Sequence, residues 1–177
     1  NIGAENPDIE QKSVASLSTE LARCEQLNIP YLVLHPGTAG SQAPEECLAR
    51  IAANLTKVLK ENTGTTMVCL ENMAGHGSSV GHSFEQLAFI RANVTPKERI
   101  GFCFDTCHAF AAGYDLRSKE SYDAVWKEFD AHIGLAHLKV MHLNDSKKEL
   151  GSNVDRHEDI GKGKLGLEAF RLILNDP

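Results

Sequence analysis

Gly101-Phe-Cys-Phe-Asp-Thr-Cys-His108 is an apolar run that closes on two side chains able to ligate a metal. Together with Ile100 it has the length of a buried strand, with Asp105 at its carboxyl end and His108 three residues on. Three other runs end in the same manner: Tyr31 to His35, Met67 to Glu71 and Leu138 to His142. Residues i and i+2 of a strand share a face. His35 therefore continues the face of Val33, Glu71 that of Cys69 and Met67, Asp105 that of Cys103, and His142 that of Val140 and Leu138. Four strands, each leading an apolar face to a ligand candidate, predict one metal site at the carboxyl edge of a parallel sheet.

Helical patterns lie between these runs. Pro7-Asp8 opens a helix to about Leu27, with Val14, Leu17, Leu21 and Cys24 on one stripe. Pro44-Glu45-Glu46 opens a second, with Cys47, Ile51, Leu55, Val58 and Leu59 facing inward, and Asn62-Thr63-Gly64 stops it. Ser83 caps a third that runs to about Ala92, a fourth runs from about Ser118 to His132, and a last from Gly166 to Leu174. Asn1 to Asn6 is expected to be the tail of something upstream, and Asn144 to Lys164 is a long polar segment. Strand and helix alternate with a step of about 35 residues, which calls for parallel pairing and right-handed crossovers. The predicted fold class is α/β, a TIM (β/α)8 barrel. Residues 1–177, taken as a single domain, supply only its middle and later βα units, since four strands leave two sheet edges unpaired.

Of the 177 residues, 42% are hydrophobic and 24% charged, enough for a real core. The formal charge of −6 argues against a uniformly basic nucleic-acid binder. It leaves room for a local phosphate site, because bound divalent ions can be the largest charges nearby. Apolar runs fall well short of the roughly 20 residues that span a bilayer, so no membrane partner is expected. The opening Asn1-Ile2-Gly3 has no Met and no signal-peptide pattern. Five cysteines, Cys24, Cys47, Cys69, Cys103 and Cys107, sit mostly in apolar patterns. They read as reduced thiols of an intracellular protein, cytoplasmic or, in a eukaryote, nuclear. Cys103 and Cys107 at C-x3-C spacing also admit a thiolate-ligand reading, and the buried apolar one is preferred.

Singly, each ligand candidate has a structural explanation: a strand-end carboxylate caps the next helix, and a histidine hydrogen-bonds in a core. Four of four at one edge is harder to explain in that way. Asp105 and His108 project near one another if Thr106 begins a helical turn. In an extended Asp155-Arg156-His157, the carboxylate and imidazole point the same way, although a solvated loop is the competing reading. Carboxylates with imidazoles suit zinc or manganese better than calcium. His137 has the parity of the helix-facing side, His132 lies at a helix end, and His76 and His82 lie in a glycine-rich loop, so all four are left out. A Gly-x4-Gly-Lys-Ser/Thr pattern is absent, and metal chemistry is the reading that the ligand candidates carry.

Five stretches resemble the endonuclease IV type of apurinic/apyrimidinic endonuclease. They are His35-Pro36-Gly37, Leu70-Glu71-Asn72-Met73-Ala74-Gly75, the block from Asp105 to Asp115, Met141-His-Leu-Asn-Asp145, and Asp155-Arg-His157. The resemblance implies a TIM barrel with three zinc ions, in part exchangeable for Mn2+. His35 would hold one ion, Glu71 would bridge it to a second held also by Asp105 and His142, and His108, Asp155 and His157 would hold the third. Members of this family carry two further ligands, an upstream histidine and a downstream glutamate, whose positions fall outside this chain. The implied reaction is hydrolysis of DNA 5′ to an abasic site, giving a 3′-hydroxyl, by a monomer acting on double-stranded DNA, with Glu71 as the catalytic carboxylate. Two alternatives stand beside it: a metal-dependent sugar isomerase or epimerase on a similar barrel, and an inactive fragment that only binds zinc or DNA.

Overall fold

The computed structural model describes residues 1–176, so Pro177, the last residue of the predicted unit, lies outside the described residues. In chain order the elements are α1 (Pro7–Leu27), β1 (Tyr31–Leu34), β2 (Gly37–Thr38), α2 (Pro44–Glu61), β3 (Met67–Glu71), β4 (Ser79–Val80) and α3 (Phe84–Ala92). After them come β5 (Ile100–Asp105), α4 (Thr106–Ala112), α5 (Lys119–His132), β6 (Leu138–His142), β7 (Asp145–Ser146), β8 (His157–Glu158) and α6 (Leu167–Leu174). Helix ends follow the capping signals. Asn6 accepts from the amides of Asp8 and Ile9 to start α1, Ser83 caps α3, and Ser118 forms a capping box with Ser121 at α5.

The main sheet is parallel throughout, in the order β1-β3-β5-β6, with α2, α3 and α4–α5 in the crossovers. This is the arc of an incomplete TIM barrel. Central β5 is buried at every position, whereas β1 and β6, each with one free edge, are half-buried or exposed. The outward face of the sheet packs on the helices through Val68, Leu70, Phe102 and Phe104, which join Leu21, Ile51, Leu55, Phe84 and Phe129 in one core. Phe84 stacks on Tyr114 at 4.2 Å between centroids, and Phe104 meets Trp126 at 4.7 Å, so aromatic contacts close the α3–α5 side. The inward face is narrow at its lower end. A Cβ on Gly101 would stand 2.8 Å from Lys139 and 3.2 Å from the Cys69 sulfur, which explains glycine inside a central strand.

One local expectation is corrected. Leu138 does not share the face of His142: the register shifts between Phe102 and Cys103, so Leu138 pairs with Phe102 and packs on the helices. Beyond this irregularity Val140 pairs with Cys103 and His142 with Asp105, so one extra residue in β6 puts His142 back on the inner face. Residues 1–6 pack against the fold. Ile2 and Ala4 are buried, and Asn54 and Gln42 donate to the carbonyls of Ile2 and Gly3 at 2.7 Å. Within the polar segment after β6, β7 and β8 form a short antiparallel ladder.

Candidate metal centre

Glu71 is the last residue of β3 and is 2% exposed. Its Oε2 lies 3.1 Å from Nε2 of His35, one residue beyond β1, and its Oε1 lies 3.0 Å from Nδ1 of His142 and 3.3 Å from Nδ1 of His108. Burial works against the charge on Glu71, but the hydrogen bonds from His108, His35 and His142 outweigh it and hold the carboxyl far below the usual range.

Asp105 ends β5 and is fully buried. Its Oδ1 caps α4 by accepting from the His108 amide at 2.9 Å, while Oδ2 takes 2.6 Å from Asn144 and lies 3.9 Å from His142 and 3.8 Å from His157. The helix-capping and ligand readings of Asp105 are thus compatible, one oxygen serving each. Because α4 begins directly at Thr106, His108 falls one turn on from Asp105 and points back into the cluster.

His108 is 2% exposed, and its Nδ1 faces the Asn72 carbonyl at 3.0 Å while Nε2 faces Asp155 at 3.1 Å. Burial disfavours its protonation, yet Glu71, Asp105 and Asp155 prevail and push its pKa up to about 9. The second oxygen of Asp155 meets His157 at 3.2 Å. All seven predicted residues, His35, Glu71, Asp105, His108, His142, Asp155 and His157, therefore form one connected cluster at the carboxyl rim. Donor atoms of His35, Glu71 and His108 lie within 4.8 Å of one another, as do those of His108, Asp155 and His157.

Cys103 joins a trio with Glu71 and His142, and Cys107 one with Asp105 and His157. Both cysteines are free, and burial, strengthened by the neighbouring carboxylates, pushes their thiols up, which keeps them neutral. Three of the four omitted histidines lie elsewhere: His132 pairs with Glu85 at 3.3 Å, His137 meets Arg91 at 3.4 Å, and the His82 ring meets the Ser79 carbonyl at 3.2 Å, whereas His76 lines a cavity beside Asp155.

Three supporting residues escaped the sequence reading. Asn72 accepts from the Asp105 amide at 2.7 Å and donates to its carbonyl at 3.1 Å, joining two strand ends where the ladder stops. Asn144 orients Asp105, and the Thr106 hydroxyl holds the Asn144 carbonyl at 2.7 Å. Asn72 and Asn144 lie within or beside the matched stretches, but no spacing rule marks them as supports.

A parallel barrel arc with a cluster of ligand-type residues at its carboxyl rim defines a TIM-barrel protein with a candidate metal site. The whole chain, residues 1–177, matches the xylose isomerase-like TIM barrel family, and it belongs to that family. Within it, the chain is 48% identical over 178 residues to the probable endonuclease 4 of Chloroflexus aggregans, covering 100% of this chain and 62% of that protein. It is 50% identical over 177 residues to the probable endonuclease 4 of Campylobacter hominis, again covering 62% of the relative. The crystal structure of endonuclease IV from Thermus thermophilus matches with a TM-score of 0.86 and 38% identity, over 100% of this chain and 61% of that one. The chain thus spans about three fifths of the length of these relatives. The endonuclease IV resemblance read from the motifs is borne out. No helix among the described residues is long and apolar enough to cross a membrane.

Proposed function

We propose that this chain carries the zinc centre of a DNA repair endonuclease of the endonuclease IV type. Its reaction would be hydrolysis of the phosphodiester 5′ to an abasic site in double-stranded DNA, leaving a 3′-hydroxyl. One observation carries the reading: seven donor residues, four at strand ends, one on α4 and two in the β7–β8 hairpin, form one cluster about Glu71 and His108 in the order of the endonuclease-like motifs.

The donor set fits zinc, or manganese in part, because it joins four imidazoles to three carboxylates. His35 and Glu71 would hold one ion, Glu71, Asp105 and His142 a second, and His108, Asp155 and His157 a third. Glu71 suits the bridging role because one oxygen faces His35 and the other His142. Bound ions would supply charge on the phosphate oxygens and a hydroxide near neutral pH. The Asn72 carbonyl takes the Nδ1 proton of His108 and leaves Nε2 free to ligate. Burial of Glu71 and Asp105 keeps bulk water from competing for their oxygens.

A cavity beside Asp155, lined by Thr38, Met73, His76, Ser79 and Arg156, would receive the flipped nucleotide, whose missing base lowers the cost of unstacking. Exposed Lys148 and Arg156 are positioned for phosphates, as are the loops 73–81 and 147–153. Lys147 reaches Glu158 at 4.0 Å and remains exposed enough to join them. Residues 1–177 would act as one unit and as a monomer inside the cell, where the five cysteines stay reduced.

Elemental analysis of the dialysed chain, run beside incubation with an abasic-site duplex, tests this directly. About three zinc per chain with nicking supports the assignment. Glu71→Gln should stop the nicking and lose the bridged pair while keeping the third ion. Unchanged turnover in that variant would remove Glu71 from the bridging role, and sugar isomerisation without nicking would move the protein to the epimerase class.

A further inference from the structure

The β7–β8 region is organised by a carboxylate outside the ligand cluster. Asp145 is fully buried and accepts five backbone N–H groups. Its Oδ1 takes those of Ser146 at 2.7 Å and Leu165 at 2.9 Å; its Oδ2 takes Gly161 at 3.0 Å, Gly163 at 3.1 Å and Gly166 at 3.2 Å. Among the described residues no basic side chain pairs with Asp145: Lys147 turns towards Glu158, Lys162 lies 2.9 Å from Asp159 and Lys164 2.7 Å from Glu149. The charge is therefore balanced by amide dipoles, each a charge-assisted hydrogen bond.

Glycines make this convergence possible. A Cβ on Gly163 would stand 2.4 Å from both Asp145 Oδ1 and the Ser146 carbonyl, and Gly161 and Gly166 adopt φ of 79° and 72°. Asp145 thereby folds residues 161–166 over β7, and the Lys164 amide donates to the Ser146 carbonyl at 2.7 Å. On its other side β7 pairs with β8, with Ser146 opposite His157, and the Lys147 amide donates to the Arg156 carbonyl at 2.9 Å. β7 is thus clamped between the 161–166 loop and the strand that carries His157.

We propose that Asp145 is a positioning residue for the His108, Asp155 and His157 group, acting through the β7–β8 ladder rather than by touching an ion. This rests on the metal reading above. The carboxylate fixes the backbone on which Asp155 and His157 stand, so weakening the clamp displaces two of the three donors together. Removal of such a support lowers metal affinity by about 10–100-fold without removing a ligand.

The test uses Asp145→Asn, His157→Ala and the double variant in the full chain, titrated with Co2+ and followed by visible absorption. Asn keeps one acceptor oxygen and turns the other into a donor that faces amides, so the clamp is loosened without opening a hole. The expected result is a roughly 10–100-fold weaker Co2+ site in Asp145→Asn, the same site that His157→Ala removes, with no further loss in the double variant. Binding that depends on Glu71 should be unchanged. Amide hydrogen exchange at Arg156–Glu158 and the His157 ring shift, measured after chelation, give a readout independent of metal. Asp145→Asn should speed the exchange and move the ring. Native exchange and an unmoved ring overturn the proposal, as does an unaltered Co2+ site. If His157→Ala leaves Co2+ binding untouched, the metal reading of that group fails, and Asp145 loses its role with it.

Discussion

Asn72 offers the sharpest test of how the strand ends are held. Asn72→Ala deletes an amide that pairs with both the N–H and the C=O of Asp105, at 2.7 and 3.1 Å. Asn72 is 1% exposed and Asp105 0%, so water has no path to replace it without disturbing the packing. A buried backbone group left unpaired costs about 1–3 kcal/mol, so two of them cost roughly 2–6 kcal/mol, to which the small cavity adds. That is a large part of the about 5–15 kcal/mol by which domains are stable, yet it leaves a folded protein to measure. Urea unfolding followed by circular dichroism, after dialysis against a chelator, reads the loss without a contribution from ion binding. The urea midpoint should fall with little change in slope. Asn72→Asp retains one acceptor but sets a second oxygen against the Asp105 carbonyl, so it should recover part of the loss only at acid pH, where its carboxyl carries a proton. A loss below about 0.5 kcal/mol for the alanine variant would mean that Asn72 does not tie β3 to β5.

The chelated chain should also show a distinctive pH profile. His108, raised from an ordinary 6.5 to about 9, contributes stability that is full below pH 6.5 and is lost as pH rises through 9, in total roughly 3 kcal/mol. Glu71, depressed in the fold, acts in the opposite sense: its contribution is present above its ordinary value of 4.5 and fades as pH falls below it. Cys69, pushed up to about 11 by burial, adds a further loss only above about pH 9. Urea midpoints at pH 6, 7.5 and 9 check this, and a flat line between the first and last would refute it. Phe129→Ala, on the helix side among Phe84, Phe104 and Trp126, should cost about 3–5 kcal/mol. Its zinc content after refolding should match that of the parent chain, because the site lies across the sheet.

The sequence alone determined the alternation of strands and helices, most of their boundaries, and the seven ligand candidates. Strand parity and end-of-strand position are local properties, and caps such as Ser83 and Ser118 are written in a few adjacent residues. Even Asp105 and His108 were linked by their spacing, since one turn of α4 brings them together. Tertiary structure decided the rest. The irregularity that returns His142 to the inner face exists only in the pairing of β6 with β5. Asn72 matters because of a residue 33 positions away, and the glycines at 161, 163 and 166 because of Asp145. A hydrogen bond across the fold leaves no period in the chain, since its partners are chosen by where the strands place them.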